Sequence, residues 1–244
     1  MRTRSRNALA SLGLSILLSG SLTAASLSRF FEKARGNYVT GSRDQFIEIS
    51  SRDIRIGPRG ANLRWHKADE GVLAGENPTG GFSRYLVGSD EARWRTFVPH
   101  YSRVRVGGLY PNTDITYYFQ GAHLEFDVTL RPGSNPNVLQ FSTPGASHLS
   151  FGDSGDLVLE AGGQDYRLRS PPAYQMRDGV REPVACRYAL DAHGRVGFRL
   201  GTFDRSRDLV IDPVVEWLTY LGGSGIDHIQ AIAADTAGNV VVAV

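Results

Sequence analysis

Two carboxylates stand two residues apart in the stretch HLEFDVTL, Glu125 and Asp127. On an extended strand such residues point to one face, about 7 Å apart by strand rise, and carboxyl pairs at such separations can cleave glycosidic bonds. Alternation alone also accounts for both. Leu124, Phe126, Val128 and Leu130 take one face, and a half-buried strand then leaves His123, Glu125, Asp127 and Thr129 on the solvated one.

Other reactive residue types form no complete set. In FGDSGD, Gly152-Asp153-Ser154-Gly155 follows the order of a chymotrypsin-like nucleophile segment. Asp156 and Leu157 stand where Gly-Pro would follow, and no histidine has an Ala-Ala-His-Cys-like context, so a hairpin turn is the expectation. Asp114 in NTDITYY, with Asp153 and Asp156, supplies oxygen donors for calcium, but the EF-hand spacing is not met and turn stabilisation accounts for them better. His66, His100, His123, His148, His193 and His228 show no paired zinc-ligand spacing. GGSG at 222–225 lacks the Lys-Ser/Thr of a phosphate loop. Trp65, Trp94 and Trp217 could stack on sugars or fill a core. Neither a metal nor a cofactor is expected.

The elements that must position these residues are short strands. QFIEIS, DIRIG, DITYYF, HLEFDVTL, VLQFS, DLVLEA, DYRLRS, AYQMRDG, RVGFRLG and DLVIDP are each bounded by Gly, Pro, Asn or Asp. They predict an all-β, antiparallel sandwich or barrel-like domain with one short helix of about two turns in GSDEARWRT, capped by Ser89. DSGDLVL, DAHGRVGF and DTAGNVVV each set Asp at a turn start and Gly before a strand, a hairpin chemistry used repeatedly.

At the N-terminus, Arg2, Arg4 and Arg6 precede an apolar run from Ala8 to Leu18 and then small residues, the three parts of a secretory signal, with cleavage expected after Ala25. The run is shorter than the roughly 20 residues a membrane helix needs, so no stable span is expected once it is removed. The chain carries 27 Lys and Arg against 25 Asp and Glu. Losing three arginines leaves 24 basic residues and a net charge of −1, which gives no electrostatic reason for nucleic acid as a partner. Cys186, the single cysteine, cannot form an intrachain disulfide and reads as a small buried hydrophobe on a face with Val184, Tyr188 and Leu190.

From Tyr85 onward the run YLVGSDEARWRTFVPHYSRVRVGGLYPNTDITYYFQGAHLEFDVTLRPGSNPNVLQF resembles the N-terminal domain of bacterial exported proteins that carry seven-bladed β-propeller (SBBP) repeats. The likeness continues through SPPAYQ, PVACRYAL and RVGFRLGTFDRSRDLVIDP. WLTYLGGSGIDHIQAIAADTAGNVVVAV then looks like a first repeat, with Thr219 to Gly223, Asp227, Asp235, Gly238 and Asn239 in its usual places. GNVVVAV departs from the usual Gly-Asn-x-Tyr-Val-x-Gly, and no further repeat follows. The expected organisation is a signal peptide at 1–25, a leader at 26–44, a β-rich domain at 45–213 and an incomplete repeat at 214–244. A blade needs neighbours to bury its faces, so a truncated chain, or a tail docked on the domain, is expected. The resemblance implies an exported surface or extracellular protein and carries no activity with it. Together with the signal, the β pattern and the lack of a complete catalytic set, it leads to the expectation of a non-enzymatic domain heading a propeller protein, at the cell surface, in the periplasm or in the medium, for binding of an extracellular glycan or protein, adhesion or a scaffold role. Alternatives are a secreted glycan-acting hydrolase using Glu125 and Asp127, and a structural cap for the first blade.

Overall fold

The computed structural model describes residues 30–41, 46–57, 60–121, 123–218, 231–234 and 240–243. The signal, its cleavage point, GGSG at 222–225, His228 and the repeat residues Thr219 to Gly223, Asp227, Asp235, Gly238 and Asn239 lie outside the described residues.

The chain starts as a run of short antiparallel strands: β1 (Phe31–Ala34), β2 (Asn37–Gly41), β3 (Phe46–Ile49), β4 (Asp53–Ile56) and β5 (Asn62–Trp65). Two long strands follow, β6 (Val72–Tyr85) and β7 (Arg95–Tyr110), then β8 (Thr113–Gln120) and β9 (His123–Leu130). The second half holds β10 (Gln140–Ser142), β11 (Ala146–Phe151), β12 (Leu157–Ala161), β13 (Gln164–Leu168), β14 (Ala173–Arg177), β15 (Val180–Val184), β16 (Cys186–Leu190), β17 (Val196–Leu200), β18 (Leu209–Ile211) and β19 (Val214–Leu218). β20 (Ala231–Ala234) and β21 (Val240–Ala243) form a separate two-stranded sheet.

The first nineteen strands share one hydrogen-bonded network that branches twice and does not close into a barrel. The first branch is at β7. One edge holds β6, while the other holds β8 at residues 103–106 and β1 at His100 and Tyr101. From β1 the ladder runs through β2, β3, β4, β5, β10 and β17 to β16. The second branch is at β9, whose free edge takes β18 beside residues 128–130 and β19 beside 124–125. β18 leads to β14 and β15, and β19 leads to β13, β12 and β11.

In the core, side chains of β1 and β5 pack on those of β8 and β9. Trp65 of β5 packs edge-on against Phe126 of β9, with centroids 6.2 Å apart, and its Nε1 donates to the Tyr117 hydroxyl of β8 at 3.3 Å. Phe31 of β1 lies 5.4 Å from Phe119 of β8. Leu124, Phe126, Val128 and Leu130 are all buried, as their alternation requires. Gly60 sits where a Cβ would meet the Ile56 carbonyl oxygen at 2.1 Å, so the chain entering β5 has room for no side chain there. Among the described residues no helix is long and apolar enough to cross a membrane.

Three expectations need correction. Residues 31–41 of the supposed leader are a hairpin inside the main sheet, closed by Arg35 and Gly36, both at positive φ, which suits a type I′ turn. Phe31 supplies the reason, since it is fully buried. The two-turn helix is a single 3₁₀ turn, Glu91–Arg93, and its cap is Asp90, whose side chain accepts from the Ala92 amide, in place of Ser89. No residue of that turn is buried, so nothing beyond its own bonds would hold a longer helix. Lastly, Val214–Leu218, assigned above to the repeat, pairs with both β13 and β9 in the main sheet.

Candidate functional site

The face of β9 opposite the core carries Glu125 and Asp127, and the strand register gathers partners around them. Tyr118 of β8 stands directly across from Glu125. On the other side, Ile211 pairs with Val128 and Val214 with Glu125, so the link between β18 and β19 passes Asp127 and delivers Asp212 to it. That link is fixed by the Asp212 amide donating to the Pro172 carbonyl and by the Phe126 amide donating to that of Pro213. The Tyr118 hydroxyl lies 3.1 Å from Asp127 Oδ1 and 3.4 Å from Asp212 Oδ1. The same face continues to Tyr174 of β14, across from Val210. Arginines cover both rings: Arg103 lies 4.7 Å from the Tyr118 centroid and Arg181 4.3 Å from that of Tyr174.

The electrostatics follow from crowding. Burial first, then the Asp212 charge, raises the carboxyls of both Glu125 and Asp127 above their usual range, against the Tyr118 hydrogen bond. Burial also raises Asp212, opposed by its bonds to Tyr118 and Asp127 and by the Arg181 charge. The Tyr118 phenol is pushed up by burial and by the Asp127 and Asp212 charges. Three carboxyls that resist ionisation around one phenol can share protons, donate hydrogen bonds as acids, and accept them as anions. Flanking guanidinium groups add donors, which makes the row suited to a hydroxyl-rich ligand.

The other sequence candidates are placed elsewhere. Ser154 is exposed in the turn between β11 and β12, closed by the Gly152 amide on the Asp156 carbonyl. Asp156 accepts from the Ser170 amide at 2.8 Å. Asp114 is held by Arg105 and Arg131 and accepts from the Gly108 amide at 2.8 Å, so its oxygens are committed to the protein. Among the described residues no group of three or more His, Cys, Asp and Glu side chains could hold a metal ion. His66 lies 2.5 Å from Arg195 and His123 3.7 Å from Glu216. Trp65 is core, while the Trp94 indole donates to the Gly88 carbonyl. The side chain of Trp217 lies outside the described residues. Burial pushes the Cys186 thiol up to about 12, which suppresses thiolate chemistry.

Two groupings had no sequence signal. Asp212, Tyr118, Tyr174, Arg103 and Arg181 join Glu125 and Asp127 only through strand pairing. Glu32, buried on β1, is bonded by Ser83 and Tyr85 of β6 and lies 2.9 Å from His100 Nε2 of β7. Ser83 and Glu32 meet the same ring nitrogen, whereas a hydrolase triad needs one on each. This cluster therefore reads as an anchor that ties the ribbon to β1.

No curated protein and no solved structure matches the chain. A family described as a domain of unknown function, DUF7948, matches residues 23–214, and the chain belongs to that family.

Proposed function

We propose that this chain is an exported, non-catalytic binding domain that presents the β9 face, from Arg103 through Tyr118, Asp127 and Asp212 to Tyr174 and Arg181, with Glu125 buried beneath, to a hydroxyl-rich extracellular ligand such as a glycan. The observation carrying this reading is the row itself, in which carboxyl groups lie between two guanidinium-covered tyrosines across neighbouring strands. Such a surface offers hydroxyl groups both donors and acceptors. The N-terminal signal pattern supports export to the periplasm, the cell surface or the medium. The facing of β5 against β8 and β9 supports a sandwich-like arrangement of the body. The SBBP-like residues after Leu218 support a place at the head of a β-propeller protein.

Glycan microarray binding by the full chain, repeated with Tyr174→Ala and Asp212→Ala, tests the reading. Retained sugar binding by both variants would remove it. The raised carboxyls favour one second reading, a glycan-acting hydrolase in which Glu125 or Asp127 serves as acid. Turnover of a polysaccharide that Glu125→Gln abolishes would establish that alternative.

A further inference from the structure

The β6–β7 ribbon carries a second surface, remote in sequence from the β9 row. Beyond His100 its strands pair only with each other among the described residues. Leu86, Val87 and Phe97 there are 54%, 77% and 66% exposed, and the exposed Phe82 ring packs at a tilt against that of Phe97, with centroids 5.0 Å apart. Four large apolar side chains exposed at one ribbon end, two of them consecutive and two in ring contact, are unusual on a water-facing surface.

The tip is also built to hold its shape. Asp90 caps the 3₁₀ turn, the Trp94 indole pins the Gly88 carbonyl, and Ser83, Tyr85 and His100 fix the inner face on buried Glu32. The apolar side chains are therefore presented by an ordered loop.

Charge identifies the occupant. Arg84 lies over the Phe82 ring at 5.2 Å and Arg95 over Tyr85 at 5.5 Å. Arg93 belongs to the same tip, and Lys33 and Arg35 stand on the adjoining β1–β2 hairpin, to which Arg95 is tied through the Lys33 carbonyl. Five cations thus belong to the tip or to the hairpin beside it, with Arg84 directly on the Phe82 ring, against the exposed carboxylates Asp90 and Glu91. Aromatic and aliphatic side chains with arginines beside them match the layered chemistry of a bilayer interface, apolar within and phosphate-rich above.

We propose that the tip of the β6–β7 ribbon docks on a membrane surface bearing anionic lipid, seating Leu86, Val87 and Phe97 among the acyl chains and Arg84, Arg93 and Arg95 at the headgroup phosphates. This goes beyond the binding role of the β9 face and does not depend on it.

Vesicle flotation tests it, using phosphatidylcholine alone and phosphatidylcholine mixed with phosphatidylglycerol. Residues 8–18 are themselves apolar, so only full chains sharing them are compared. The parent should float with the mixed vesicles more than with the neutral ones. Replacing Leu86, Val87 and Phe97 together by Ser should weaken that partition at least about tenfold. Arg84→Gln and Arg93→Gln should each weaken it about fivefold, the effect of one cation near a charged leaflet. These side chains are exposed, so an unchanged melting temperature would show that the variants remain folded. Tyr174→Ala should bind vesicles like the parent, which separates this surface from the β9 row. Equal flotation of parent and triple variant, or parent binding that ignores phosphatidylglycerol, would overturn the proposal. So would a triple variant whose only change is lost self-association in sedimentation without vesicles, since the patch would then join two copies of the chain.

Discussion

Asp114 and Asp127 are both carboxylates on a strand face, yet their surroundings drive them in opposite directions. Burial pushes Asp114 up, but hydrogen bonds from Arg131, Arg105 and the Gly108 amide outweigh it and hold the carboxyl down at about 2. Its contribution to stability is therefore present above the ordinary carboxylate range and lost as pH falls through about 2. Asp114→Asn should cost about 2 to 3 kcal/mol in urea denaturation at neutral pH, not more, because both arginines are partly solvated and stay hydrated when left alone. Asp127 and Asp212 titrate the other way. Their raised values mean a contribution fully present below the ordinary range and lost as pH rises through the shifted one. Asp212→Asn should melt no lower than the parent at neutral pH and should flatten the decline of melting temperature from pH 4 upward; parallel profiles would refute the shared crowding. The sequence showed that Glu125 and Asp127 share a face. It could not show that Glu125 would be buried, because the strand that pairs beside it arrives at Val214, 89 residues later.

At the scale of elements, alternation was legible wherever a strand has one face in the core, as in HLEFDVTL and DLVLEA. It failed for β6, a 14-residue strand with no buried residue. Only Leu73 of this strand packs on the core, which is too little to impose alternation, and Asn77 and Gly80 at positive φ bend it with register shifts that break any remaining period. The β1–β2 hairpin was missed for a different reason. SLSRFFEKARGNYVTGSRDQ has only short apolar runs, and Phe31 gains its partners from β7 and β8, far along the chain. If the hairpin belongs to the body, Phe31→Ala should destabilise the whole fold by about 3 to 5 kcal/mol in urea denaturation. A truly detached leader would lose nothing measurable.

On the scale of the whole molecule, the branching of the sheet decides where the domain ends. β9 is bordered along one edge by two different strands, and β19 is the only described connection between β9 and the β13–β12–β11 arm. Sequence placed the boundary at Pro213, since DLVIDP closes on a proline and the SBBP-like run starts soon after. Hydrogen bonding carries the body through Leu218, because without Val214–Leu218 both β9 and β13 would have an open edge and Val215 would leave the core. A chain ending at Leu218 should therefore melt close to the parent, while one ending at Pro213 should lose at least about 3 kcal/mol through that burial and the ladder bonds. In the shorter chain, hydrogen exchange should rise first along β11, β12 and β13, which then lack their tie to β9. Equal melting of the two truncated chains would return β19 to whatever follows it and leave the β11–β13 arm held by side-chain packing alone.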